Sequence, residues 1–248
     1  LEATPIFYDL SATNNWQPDL ESLDQMDLEG VKIMWINYPH MPTGANADVT
    51  TFSKLISWAR EKGILLINDN PYSFVLTDKP QSILSVPGAM DVAMELNSLS
   101  KSFNMAGWRV GMVLGNKDNI SAVLKVKSNM DSGMFFGIQK GAIAALNAQK
   151  NWFQQLNEVY LERRKLVFDL AALLDTDFDQ NSCGLFVWAK LRDTQKTAVE
   201  FIDEILHKHH VFITPGSIFG TQGEGYIRFS LCVDATQISK AIERISKK

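Results

Sequence analysis

Cysteine is nearly absent from this chain: its 248 residues include two, Cys183 and Cys232. Two cannot build a disulfide framework, so a reducing, cytoplasmic setting is expected. Long apolar runs are missing as well. None reaches the roughly 20 residues that a membrane-spanning helix needs, and no signal peptide is visible. Dense basic runs are also lacking. Lys and Arg number 24 against 28 Asp and Glu, a net charge of −4, which recommends neither a nucleic-acid nor a membrane-surface partner. Histidines are few, and three of the four, His207, His209 and His210, crowd the C-terminal end of a predicted helix. Cationic side chains suit the helix dipole there, so no metal site is expected. Internal repeats, low-complexity segments and a strand–GxGxxG–helix phosphate fingerprint are all missing. What remains is an ordinary globular composition, 46% hydrophobic and 21% charged, long enough for one large or two modest domains.

The first half alternates strand and helix. Residues 6–10 read as a short strand, and a short helix is expected to open near Pro18 or Asp19. Val31-Lys-Ile-Met-Trp-Ile-Asn37 is almost continuously apolar, as a strand covered on both faces would be. It runs into Tyr38-Pro39-His40-Met41-Pro42-Thr43-Gly44, a turn that prolines and glycine make rigid, at the strand end where open α/β sheets bind ligands. Residues 48–61 carry apolar side chains at helical spacing, and Gly63 stops the helix. The strand 64–67 then delivers Asp69. An aspartate after so apolar a run is either partly buried beside a cationic partner or a simple cap. This order predicts a mostly parallel sheet with right-handed crossovers.

The second half is less regular. Helices are expected over 121–127 and 139–146, broken by 128–135, and a long helix over 154–174 whose run Glu162-Arg163-Arg164-Lys165 is a solvated face. Strands at 183–188, 211–213 and 226–231 and helices at 197–207 and 235–245 make the remainder α+β.

The most informative stretch is Ser98-Leu-Ser-Lys101-Ser-Phe-Asn-Met-Ala-Gly107-Trp-Arg109-Val-Gly111. Apolar runs at 92–96 and 110–114 flank it, which places Lys101 on a loop between two buried strands. Such an amine suits covalent chemistry beside an anion site; it equally suits an ordinary surface loop. Ser98-x-x-Lys101 with Gly107-x-Arg109-x-Gly111 resembles the cofactor-lysine motif of the pyridoxal-phosphate-dependent class I/II aminotransferases of fold type I. The turn at 38–44, Asp69-x-x-Tyr72, Pro215-Gly216 to Gly220, and Gly223-Glu-Gly225-Tyr-Ile-Arg228 resemble the family's other motifs in the same order.

The resemblance implies pyridoxal 5'-phosphate held by Lys101 as a Schiff base. Ser98 and Arg109 would take its phosphate, Asp69 its ring nitrogen and Tyr72 its phenolate oxygen, while Arg228 would grip the substrate's carboxylate. Lys101, Asp69 and Tyr72 would carry catalysis. Met41 departs from the pattern: the family's asparagine there donates to the phenolate oxygen, and a thioether has no proton to donate. The stretch 128–135 would approach a neighbouring subunit, though Ser128 and Asn129 read equally well as turn residues.

The resemblance thus implies an α/β fold. Residues 1–159 would form an incomplete cofactor-binding large domain with a mostly parallel sheet, and 160–248 a smaller α+β domain. It implies an aminotransferase acting on an amino acid and a 2-oxo acid, a homodimer, most similar in character to the aspartate, alanine and diaminopimelate branch. A lyase or decarboxylase on the same fold is one alternative. A non-catalytic effector-binding module is another, although no helix-turn-helix accompanies it. Family members are longer at the N-terminus, so this piece alone is expected to be inactive.

Overall fold

A computed structural model describes residues 3–193 and 195–247. In chain order its helices and strands are α1 (Leu20–Asp24), β1 (Ile33–Ile36), α2 (Val49–Lys62), β2 (Leu65–Asp69), α3 (Ala89–Val92), β3 (Ala93–Ser98), α4 (Leu99–Ser102), β4 (Gly111–Leu114), α5 (Lys117–Met130), α6 (Phe136–Leu146), α7 (Trp152–Leu173), β5 (Thr176–Phe178), β6 (Phe186–Leu191), α8 (Ala198–His209), β7 (Thr214–Pro215), β8 (Tyr226–Ser230) and α9 (Ala235–Ser246). No helix among the described residues is long and apolar enough to cross a membrane.

The chain forms two compact units. One comprises residues 28–39 and 46–158; the other comprises 1–27, 40–45 and 159–248. Residues 3–27 and 40–45 therefore fall in the same unit as the C-terminal part of the chain.

In the first unit the strands lie in the order β1-β2-β3-β4. The pairs β1–β2 and β2–β3 are parallel and β3–β4 is antiparallel, so the sheet is mixed but mostly parallel. Helix α2 covers it. The Asp48 carboxylate caps α2 by accepting the Thr51 N–H at 2.7 Å, and Gly63 ends it in the left-handed conformation at φ 66°. Its buried face is Phe52, Leu55, Ile56, Trp58 and Ala59, the 3.6-residue pattern visible in the sequence. Each large side chain removed from water there contributes roughly 1.5–3 kcal/mol.

Several expectations are corrected here. Residues 6–10 form no strand. The run at 31–37 is covered on one face only: β1 is an edge strand, and Ile33 and Trp35 are 48% and 56% exposed. β4 is likewise an edge, with Val113 and Leu114 near 40% exposed. Helix α5 runs through Ser128 and Asn129, whose side chains bond back to the Lys125 carbonyl, so the break narrows to 131–135. Neither α5 nor α6 carries a fully buried residue.

In the second unit the strand order is β5-β6-β8-β7, all antiparallel. Helix α8 opens with a capping box between Thr197 and Glu200, and α9 with the Asp234 cap. The expected strand at 211–213 is irregular, and the strand pairing there is Thr214–Pro215 against β8. Gly44 belongs to this unit at φ 75°. A Cβ there would meet Ser182 Cβ at 2.7 Å, so the turn can seat against residues 182–183 only as glycine.

Candidate functional site

In the first unit, four of the residues singled out in the sequence meet at one end of the sheet. Asp69 closes β2, where it pairs with Leu96 of β3. Ser98 closes β3, where it pairs with Gly111 of β4. Lys101 follows Ser98 by three positions and Arg109 precedes Gly111 by two. Because β4 runs antiparallel, its first residues lie beside the carboxyl end of β3. Asp69, Ser98, Lys101 and Arg109 thus all come from adjoining strand ends.

Lys101 sits not on a loop but on the single helical turn α4. Ser98 creates that turn: its Oγ accepts the Ser100 N–H at 3.1 Å. The Leu99 N–H donates to the Val110 carbonyl at 3.2 Å, and Leu99, Met105 and Val110 pack as a small buried cluster. The lysine's backbone is thereby fixed from below. Its side chain is half-buried, and among the described residues its amine has no hydrogen-bond or ion-pair partner. Arg109 is exposed, holds a left-handed conformation at φ 51°, and donates through Nη1 to the Ala106 carbonyl at 3.0 Å. Tyr72 is 8% exposed.

Asp69 departs from expectation. It is exposed, and among the described residues its carboxylate has no cationic partner. The reason is its place: the apolar run that precedes it is buried, but the strand end itself looks outward. Partial desolvation still raises its pKa above the usual carboxylate value.

Sequence reasoning missed the residues that aim this strand end. Asn37 Nδ2 donates to the Asp69 carbonyl from the β1 side. Asn97 Nδ2 donates to the Asn70 carbonyl at 2.9 Å from β3. Below them, buried Asn68 accepts the Tyr38 N–H at 3.0 Å and donates to Glu95 Oε2 at 3.1 Å. The same Glu95 oxygen accepts the Ile83 N–H at 3.0 Å. The available signal was polarity in the wrong place: Asn68 and Glu95 each interrupt an apolar strand.

Arg228 lies on β8 and belongs to the second unit. Its guanidinium carbon is 4.2 Å from the Phe186 ring centroid and 4.6 Å from that of Phe219, a two-sided aromatic stack. Its Nη1 lies 3.6 Å from the Met41 sulfur. Among the described residues no group of three His, Cys, Asp or Glu side chains could hold a metal ion.

A lysine amine without a partner, a hydroxyl, a carboxylate and a guanidinium at adjoining strand ends of an α/β sheet form a set of groups that fits a phosphorylated aldehyde. The chain belongs to the family "Aminotransferase class I and II", whose profile matches residues 1–245. It is 39% identical over 244 residues to an LL-diaminopimelate aminotransferase of Aquifex aeolicus, covering 98% of this chain and 63% of that one. Apo BacF from Bacillus subtilis superposes with a TM-score of 0.89 at 36% identity, over 96% of this chain and 61% of its own. A probable N-succinyldiaminopimelate aminotransferase from Thermus thermophilus does so at 0.85 and 30% identity, over 93% and 62%. The chain thus spans about three-fifths of the length of these relatives. The cofactor that membership of this family implies is pyridoxal 5'-phosphate.

Proposed function

We propose that the protein carrying this chain transfers an amino group between an amino acid and a 2-oxo acid. Lys101 would hold the aldehyde cofactor covalently and then move the substrate's proton as a general base. Ser98 and Arg109 would bind its phosphate, Asp69 its ring nitrogen and Tyr72 its phenolate oxygen. When bound, the cofactor supplies an electron sink. Asp69 suits its role because an exposed carboxylate of raised pKa gains charge stabilisation once a cationic ring nitrogen stands beside it. Arg228, pre-oriented by two rings, would take the substrate's α-carboxylate with its planar fork. The functional division proposed is 1–159 for the cofactor and 160–248 for the smaller part.

We propose a homodimer on separate grounds. Helices of 14 and 11 residues, α5 and α6, carry no fully buried residue, and Leu124, Val126, Phe135 and Phe136 are each more than 60% exposed. Helices of this length draw their stability from packing, so a second copy is the expected cover. A cytoplasmic setting accords with two cysteines that form no disulfide.

The observation that carries the functional reading is the unpartnered Lys101 amine on its anchored turn, beside the Asp69 strand end. Borohydride reduction of the full-length protein loaded with pyridoxal phosphate, followed by peptide mapping, tests it. The label is expected on Lys101, and Lys101→Ala is expected to abolish it while the fold persists. A label on another lysine would overturn the assignment.

A further inference from the structure

The unit formed by residues 1–27, 40–45 and 159–248 contains a cleft of 720 Å³. That is within the roughly 300–1,000 Å³ of small-molecule sites. Its apolar walls are Phe7, Trp16, Met41, Trp188 and Phe219. Two of these walls are also neighbours of Arg228: the Met41 sulfur at 3.6 Å from Nη1 and the Phe219 ring centroid at 4.6 Å from the guanidinium carbon. The cleft and the arginine therefore share two walls, Met41 and Phe219, although Arg228 does not itself line the cleft. Trp188 is fixed in place, stacked on Tyr226 at 5.1 Å and met edge-on by Trp16 at 6.3 Å.

The polar lining is as telling as the apolar. No lysine or arginine lines the cleft among the described residues. Burial lowers His40 to about 4 and raises Tyr8 to about 12, so both are neutral near pH 7. The one charged group among the described lining residues is Asp9, whose carboxylate accepts from Gln222 Nε2 at 3.2 Å. A second carboxylate entering this space would find no counter-charge among the described lining residues and would face a like charge. A hydrocarbon or ring would instead pack against aromatic faces.

We propose that this cleft receives the substrate's side chain and selects an apolar or aromatic one over a side chain that ends in a carboxylate. The inference rests on Arg228 being the α-carboxylate anchor of the proposed reaction.

Titrating the intrinsic tryptophan fluorescence of the full-length protein with 3-phenylpropionate and with glutarate tests it without requiring turnover. Each ligand offers one carboxylate to Arg228, and they differ in the tail. 3-Phenylpropionate is expected to bind roughly tenfold or more tightly than glutarate. Asp9→Asn removes the like charge, so it should tighten glutarate several-fold and leave 3-phenylpropionate unchanged. Equal or tighter glutarate binding, or no saturable change with 3-phenylpropionate, overturns the inference. Arg228→Lys separates it from its premise. Weakening of both ligands supports the anchor, whereas unchanged affinity for both overturns the anchor and the inference with it.

Discussion

The sulfur of Met41 lies 3.6 Å from Nη1 of Arg228. The contact ties the 40–45 turn to β8 within one unit. A thioether is a weak acceptor, so it steadies the guanidinium without competing seriously with a carboxylate. The aromatic stack on Phe186 and Phe219 supplies the rest of the orientation.

Arg228→Lys removes the planar fork and the stacking together. For the full-length enzyme the KM for the amino acid should rise about tenfold or more, equivalent to about 1.4 kcal/mol, with a smaller change in kcat. Met41→Leu should change KM by less than about twofold. Met41→Asn supplies a stronger competing acceptor and should fall between the two. Steady-state kinetics with one amino donor decides the order of the three.

Glu95 is 5% exposed and accepts from both Asn68 and the Ile83 N–H. Glu95→Ala leaves two buried donors without an acceptor and opens a cavity, at a cost of about 3 kcal/mol. Glu95→Gln keeps one acceptor oxygen and should cost less. Urea unfolding should show this order in midpoint at constant slope; an Ala variant as stable as the parent would refute the network.

His40 sets a pH dependence. Burial lowers its pKa from the ordinary 6.5 to about 4 in the folded state. The unfolded chain therefore binds more protons between those values, and stability must fall as pH drops from about 6.5 towards 4. The shift corresponds to an upper bound of roughly 3 kcal/mol before allowance for the ring's partial exposure. His40→Gln should flatten this stretch of the stability–pH curve; a variant with the parent's slope would mean that other groups carry it.

Gly111 faces the Asn97 carbonyl across the β3–β4 pair, and a Cβ there would stand 2.6 Å from that oxygen. The obstacle is backbone and cannot rotate away. Gly111→Ala should cost about 1–3 kcal/mol and disturb the pairing at Ser98. Weaker pyridoxal phosphate binding should accompany the lower midpoint in the full-length protein.

The exposed face of α5 and α6 gives the oligomer test. If the proposed dimer forms through this face, Leu124→Glu with Phe136→Glu should shift the full-length protein to monomer in light scattering, because a charge would face the partner copy. A variant that remains a dimer would place the interface elsewhere.

Much of this architecture is legible in the sequence. The helix α2 announces itself through period, cap and stop, and the lysine motif through its spacing. What the sequence hides has identifiable physical causes. The runs at 6–10 and 211–213 are apolar enough for strands, but a short apolar run does not state whether a pairing partner exists. The run at 31–37 is composed for burial on both faces, yet β1 lies at the sheet edge and keeps one face open. The obvious flanking strands make Lys101 read as a loop residue, whereas the Ser98 cap that winds the intervening turn is a local bond visible only in geometry. Asn37 and Asn97 act through their amides on neighbouring strand ends, and nothing in a linear sequence marks such a contact.

Those two asparagines have a kinetic consequence. Beyond the last rung of the sheet, the peptide units around Asp69 are held on one side by Asn37, on the other by Asn97, and by the Asn70 N–H on the Leu96 carbonyl at 2.8 Å. Strand ends ordinarily fray first, because their final groups lean on solvent. Here the tip is stitched from both flanks, so its opening requires both neighbouring strands to let go at once. In amide hydrogen exchange, Asn70 should rank with the strand interior rather than with the loops around it, and the carboxylate beside it should keep its address while the surrounding surface breathes.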